Sequence, residues 1–174
     1  MKKSKPIITV FVFLGLIVGI SACSNHQAEI KSLQSQVDSV SIELAMLKAA
    51  SLQLESNKKL VSDLYQEVFG DKNIDVLDNY LVENYIQHNP GVADGREALK
   101  KALEIWFKDA PKEKIDIQHI GADCDFVYIH LKSKQGNKTL SVIDIFKIEG
   151  NKVVEHWDVI QEVPAKSANP HPMF

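Results

Sequence analysis

The apolar positions of this chain change period along its length. From Ile30 they fall at Ile30, Leu33, Val37, Val40, Leu44, Leu47 and Leu54, with only Ser51 breaking the a/d alternation and no Pro or Gly between Ile30 and Val68. Sustained spacing of this kind predicts a coiled-coil seam; a single amphipathic helix folded back on a globule is the competing reading. The stretch "KKLVSDLYQEVFGDKN", with Leu60, Leu64 and Val68 on one face, predicts a helix ending near Gly70. "IDVLDNYLVENYIQHNPG" predicts a short helix that leads into an extended segment stopping at Asn89-Pro90-Gly91. "DGREALKKALEIWFKDA" predicts a further helix, its start marked by Asp94 and Glu97 in capping-box spacing. After Pro111 the period becomes two. "KIDIQHI", "DFVYIHLKS", "TLSVIDIFKI" and "KVVEHWDVIQEV" read as four consecutive strands joined by short turns. Helices followed by an antiparallel meander predict an α+β fold.

The N-terminus follows a different logic. Lys2, Lys3 and Lys5 precede an apolar run from Ile7 to Ile20, which closes on Ile20-Ser21-Ala22-Cys23. A charged start, a short apolar run and small residues make a secretory signal segment. The small residues before Cys23 resemble the bacterial lipobox, which implies cleavage at that point and diacylation of the cysteine thiol. The chain is thus expected to divide into a signal peptide (1–22), a lipidated Cys23 with a helical stalk (23–56), and a domain with its tail (57–174). Ser24 after the cysteine implies, in a Gram-negative cell, an outer-membrane anchor facing the periplasm. The expected partners are the membrane, through Cys23, and further copies of the chain, through the stalk.

Charge and cysteine usage narrow the function classes. A formal charge of −3 over 174 residues offers no basic surface for nucleic acid. Two cysteines, Cys23 and Cys124, build neither a disulfide framework nor a paired-cysteine metal site. Cys124 is expected to be a buried structural thiol. No HExxH or short His-x-His spacing is present, so no metal is expected.

The segments "NYIQHNPGVADGREALKKA" and "SVIDIFKIEGNKVVEHWDVIQEVP", together with the closing "NPHPMF", resemble the SnoaL-like branch of the nuclear transport factor 2-like superfamily. The resemblance implies a cone in which a curved antiparallel sheet wraps around the N-terminal helices, with a pocket at the wide end. It also implies the chemistry of the polyketide cyclases, an intramolecular aldol ring closure that uses no metal or cofactor. The superfamily holds isomerases, dehydratases, hydrolases and non-catalytic binding domains as well, so the fold alone does not select the function.

Strand alternation places Val154, His156, Asp158 and Ile160 on one face of the last strand, and Val153, Glu155, Trp157 and Val159 on the other. By the resemblance, Asp158 is the general acid/base, and His156 is its catalytic neighbour. Asp144, in "VIDIF", faces one side or the other according to the turn at Glu149–Lys152. A two-residue Gly150-Asn151 turn sets Asp144 opposite Trp157. A three-residue turn with Asn151 left-handed sets it opposite His156, and this is the expected arrangement. His88, His130 and Trp106 are the other candidate pocket residues, with Phe107 as a further wall. Trp157 is expected to pack on the helix side, and His119 in the core or at an edge. The ligand implied is a small hydrophobic carbonyl compound. Two further readings share these residues: a non-catalytic domain that captures a small hydrophobic ligand, and an envelope scaffold whose coiled coil is the working part.

Overall fold

The computed structural model describes the backbone from Ile8 to Phe174 and the side chains from His26 onward. The side chains of the expected signal segment and of Cys23, the expected lipidation residue, lie outside the described ones. A long helix, α1, spans Ile8–Leu64 and passes into a π-helical turn, Tyr65–Gly70. The chain divides into two units, Met1–Ala49 and Ala50–Phe174. In the first, the stripe residues Ile30, Leu33, Val37, Val40, Leu44 and Leu47 are all exposed. Among the described residues no helix is long and apolar enough to cross a membrane.

The second unit is α+β. After the π turn come a short helix α2 (Leu77–Tyr80), strand β1 (Leu81–Gln87) and helix α3 (Arg96–Trp106). Strands β2 (Asp116–Asp123), β3 (Phe126–Gln135), β4 (Lys138–Glu149) and β5 (Lys152–Glu162) follow as the meander that period two predicts. The curved sheet is mixed rather than purely antiparallel. Its order is β1-β5-β4-β3-β2, and β1 lies parallel to β5 along the edge of the meander. The extended segment before Asn89-Pro90 is therefore a fifth strand, and the helix α3 that follows it makes room for the crossover a parallel pair needs.

The core forms where the apolar faces converge. Val61, Leu64 and Val68 from the helical arm meet Leu103 of α3 and the inward residues Ile129, Val127 and Val153 of the sheet, all at most 2% exposed. Burial of side chains of this size stabilises by about 1.5–3 kcal/mol each. Tyr65 stacks on Phe69 and meets Phe146 edge-on, which ties the π turn to β4.

Several local expectations are corrected. Asp94 does not cap α3; Gly95 is the N-cap residue, at φ +94, and no side chain bonds there. Asp94 instead accepts a hydrogen bond from the backbone N–H of Gln87 at 2.8 Å, holding the end of β1. Cys124 is not buried. It sits exposed at φ +49 in the β2–β3 turn, where a hydrogen bond to Asp123 pushes its thiol pKa up.

Candidate functional site

The hairpin between β4 and β5 decides which side chains enter the site. Gly150 and Asn151 form a two-residue turn, with φ of +56 and +63, and Glu149 pairs with Lys152. Both left-handed values match the turn type that suits twisted strands. The three-residue turn is thereby ruled out. Ile148 pairs next with Val153, but Lys147 pairs with Glu155, so Val154 is left over as a β-bulge. The bulge advances the register by one residue. Asp144 consequently lies directly opposite Asp158, not opposite Trp157 or His156. It also replaces Val154 by Val153 on the inward face, where Val153, His156, Asp158 and Ile160 line a cavity.

That cavity has a volume of about 270 Å³. Its walls are apolar and aromatic, with Tyr65 and Phe69 from the π turn, Tyr85 from β1, Leu99 and Trp106 from α3 and Phe146 from β4. Among the described residues no Lys or Arg lines it, and the ionisable groups it holds besides its tyrosines are Asp144, His156 and Asp158.

These three are linked to each other and to the end of β1. Nε2 of His156 lies 2.9 Å from Oδ1 of Asp144, with both residues buried. Nδ1 of His156 lies 2.7 Å from Oε1 of Gln87. The backbone N–H of Asn89, which can only donate, points to the same Oε1 at 3.0 Å and so fixes which way the Gln87 amide faces. The amide NH2 then donates to the Tyr85 hydroxyl at 2.9 Å. It follows that Nδ1 of His156 carries a proton and that Nε2 faces Asp144. Among the described residues, Oδ2 of Asp144 is the buried side-chain atom without a hydrogen-bond partner. On the other side, Nδ2 of Asn89 donates to Oδ2 of Asp158 at 2.5 Å, which leaves Oδ1 of Asp158 for a ligand. Gln87 is placed for this by register, since it pairs with His156 across the parallel β1–β5 ladder.

The surrounding phenols are held protonated. Burial, followed by the negative charge of Asp144, pushes the pKa of Tyr65 well above its usual 10.0. Tyr85 is raised too, first by burial and then by the charges of Asp144 and Asp158. A cation could draw one ligand atom each from Asp144, His156 and Asp158, which lie within 4.8 Å of one another. Both ring nitrogens of His156 are already engaged, however, so a metal would have to displace Asp144 from Nε2.

Of the residues expected in the pocket, Asp144, His156, Asp158 and Trp106 line it, and His88 and His130 do not. His88 follows β1 on the opposite side of the sheet, stacked on Trp157 at 4.6 Å and bonded through Nε2 to Glu155 at 2.7 Å. Trp157 thus packs on the outer face, against His88 and Phe126, and not on the helix side. His130 alternates with the inward Ile129 and Leu131. It bonds to His119 of the edge strand β2 and to Ser141, and stacks on Phe174. Phe107 packs on Phe69 beside the cavity and does not line it. Gln87, Asn89 and Tyr85 were not singled out by their sequence pattern. Neutral amides and phenols beside a turn carry little signal, and only the parallel pairing brings them to His156.

The model of the SnoaL-like polyketide cyclases matches residues 59–168, well over half of the chain. The chain belongs to that family. Solved structures share its fold at low identity. An NTF-2-like protein of unknown function from Burkholderia xenovorans superposes with a TM-score of 0.54 at 11% identity, over 66% of this chain and 89% of that one. A protein named as a ketosteroid isomerase from Kribbella flavida gives 0.52 at 14% identity, over 68% and 84%. One named as a polyketide cyclase from Acidithiobacillus ferrooxidans gives 0.51 at 21% identity, over 60% and 87%. No curated protein matches the chain.

Proposed function

We propose that the domain is a metal-free acid/base catalyst acting on a small hydrophobic carbonyl compound, by aldol condensation or isomerisation. The observation that carries this reading is the Asp144–His156–Asp158 cluster, with Asp144 and His156 buried and Asp158 partly buried, in an apolar cavity with the His156 tautomer set by Gln87. Asp158 is the acid/base, with Oδ1 open to the ligand and Asn89 holding Oδ2. His156, held between Gln87 and Asp144, adjoins it. A positioned carboxylate of this kind contributes about 10²–10⁴ in rate. Family membership and the printed names of structural neighbours, which include a polyketide cyclase and a ketosteroid isomerase, support the same class of chemistry.

The test uses 1-indanone, a compact bicyclic ketone with acidic hydrogens beside its carbonyl. The full chain in heavy water should accelerate deuterium uptake at C2, followed by proton NMR, and Asp158→Asn should abolish the acceleration while the fold persists. Binding without exchange in the wild-type chain would favour the alternative of a periplasmic binding domain.

The reading includes a place for the protein. Cys23 is lipidated, and the chain is anchored in the bacterial envelope, where the stalk self-associates. The exposed apolar stripe from Ile30 to Leu47 supports self-association, because such a row is stable in water when a second helix covers it. Mass spectrometry of the N-terminal peptide from a bacterial membrane fraction tests the first part, with an unmodified Cys23 overturning it. Sedimentation of the full chain against a Val37→Asp/Leu44→Asp variant tests the second, with the variant expected to be monomeric.

A further inference from the structure

Tyr85 is almost fully buried, 2% exposed, and lines the cavity beside His156, their rings 6.5 Å apart. Its hydroxyl oxygen already accepts a hydrogen bond from Nε2 of Gln87. The direction of that bond is fixed, because the Asn89 N–H occupies the other end of the amide. The Tyr85 proton therefore has to be donated elsewhere, and among the described residues it has no acceptor. The amides and the imidazole N–H beside Tyr85 are already engaged. The Gln87 NH2 serves Tyr85, the Asn89 NH2 serves Asp158, and the His156 Nδ1–H serves Gln87. The phenol of Tyr65 lies under the influence of the Asp144 carboxylate, and Trp106 is half exposed.

We propose that Tyr85 is a catalytic residue whose hydroxyl donates a hydrogen bond to the carbonyl oxygen of the ligand, the oxygen on which enolate charge develops. This rests on the reading of Asp158 as the base. In the step, Oδ1 of Asp158 takes the proton from the carbon beside the carbonyl. The C–H electron pair becomes the new C=C bond, and the carbonyl π pair moves onto oxygen. Tyr85 stabilises that oxygen without giving up its own proton. Accepting from Gln87 makes the hydroxyl a stronger donor, because bonds in a chain polarise one another in a cavity of low dielectric. Burial keeps the phenol protonated through the neutral range, so the donor persists where the base works.

The substrate class follows from the pair. A ligand must present a carbonyl oxygen to Tyr85 and an acidic C–H to Asp158 at once, which selects compact ketones with an enolisable position and an apolar remainder.

The experiment compares the full-length wild type, Tyr85→Phe and Asp158→Asn with 1-indanone in two readouts. One is the infrared carbonyl band of the bound ketone, and the other is deuterium uptake at C2. The wild type should move the band to lower frequency than in a hydrocarbon solvent. Tyr85→Phe, which keeps the ring and its packing, should lose the displacement and slow exchange about 100-fold, the loss typical of a deleted oxyanion donor. Asp158→Asn should keep the displacement and lose exchange. A band unmoved by the wild type, or equally displaced in Tyr85→Phe, overturns the Tyr85 assignment. A displaced band without exchange in the wild type leaves Tyr85 as the carbonyl donor and overturns the acid/base reading instead. Circular dichroism of both variants shows whether the fold survives. If Tyr85→Phe does not fold, the displacement in Gln87→Glu, which cannot donate to Tyr85, takes its place and should be reduced; an unchanged displacement there overturns the assignment.

Discussion

The side-chain carbonyl of Gln87 accepts from Nδ1 of His156 at 2.7 Å, and this one contact sets the protonation pattern of the site. Gln87 can do so because β1 runs parallel to β5 and pairs the two residues. An acceptor on Nδ1 leaves Nε2 to face Asp144, so the imidazole is oriented before any ligand arrives.

The first prediction concerns that tautomer. Nitrogen NMR of the wild-type chain should show His156 with its Nδ1 protonated at neutral pH. Gln87→Leu removes the acceptor and should produce a mixture of tautomers, with C2 exchange of 1-indanone falling about tenfold by the loss of one orienting hydrogen bond. Gln87→Glu retains an acceptor for Nδ1 and should retain the tautomer. An unchanged His156 spectrum in Gln87→Leu would contradict the assignment.

Asp94 gives the second prediction. Its carboxylate holds the Gln87 N–H and plays no part in capping α3. Asp94→Ala should therefore raise amide hydrogen exchange at Gln87 while leaving the first turn of α3 as protected as before. The cost to stability should be about 1–2 kcal/mol, that of one hydrogen bond to a charged group. Loss of protection at the start of α3, with Gln87 unchanged, would restore the capping role that the spacing of Asp94 and Glu97 suggests.

The sequence carried the α+β order and the alternation of β2 to β5, because period two and period 3.6 are written into the apolar positions themselves. It also carried His156, Asp158 and Asp144 as inward residues, but by a route that the hairpin does not follow. The expected three-residue turn and the observed two-residue turn with a bulge differ by two residues of register. Both put Asp144 on the face of His156. Val154 shows why the detail was illegible: nothing in "KVVEH" marks which Val is the extra one, and the choice depends on packing of Val153 into the core. His88 and His130 failed for a related reason. Each sits next to apolar residues that could have faced either way, and the pairing of β1, absent from any periodicity, decides His88. The same pairing supplies Gln87, Tyr85 and Asn89, which local pattern had no means of joining to a site 69 residues away in sequence.

A third prediction separates charge from shape at Asp144. Asp144→Asn can still offer an N–H to Nε2 of His156, so unfolding by urea should show a change within about 1 kcal/mol, while Asp144→Ala leaves Nε2 buried and unpaired at a cost of about 2 kcal/mol. Both should impair exchange of 1-indanone, since neither keeps the carboxylate that faces Nε2 of His156. Equal stability of the two variants would mean that the Asp144–His156 contact contributes nothing to the fold.

The fourth prediction is a pH dependence with a defined sign. In the unfolded chain Tyr65 ionises near its usual 10.0, whereas burial and the Asp144 charge hold its proton to well higher pH in the fold. The folded chain thus binds this proton more tightly. Its contribution to stability is complete below about pH 10 and is lost as the pH rises beyond that, because only the unfolded chain then gains by ionising. Tyr85 acts in the same direction. Thermal unfolding followed from about pH 8 to 11 should therefore fall more steeply in the wild type than in Tyr65→Phe, with the double variant Tyr65→Phe/Tyr85→Phe the flattest. Lysines titrate alike in all three chains and cancel in the comparison. Parallel curves would show that the two phenols ionise as readily in the cavity as in water, and would remove the low-dielectric environment on which the donor role of Tyr85 depends.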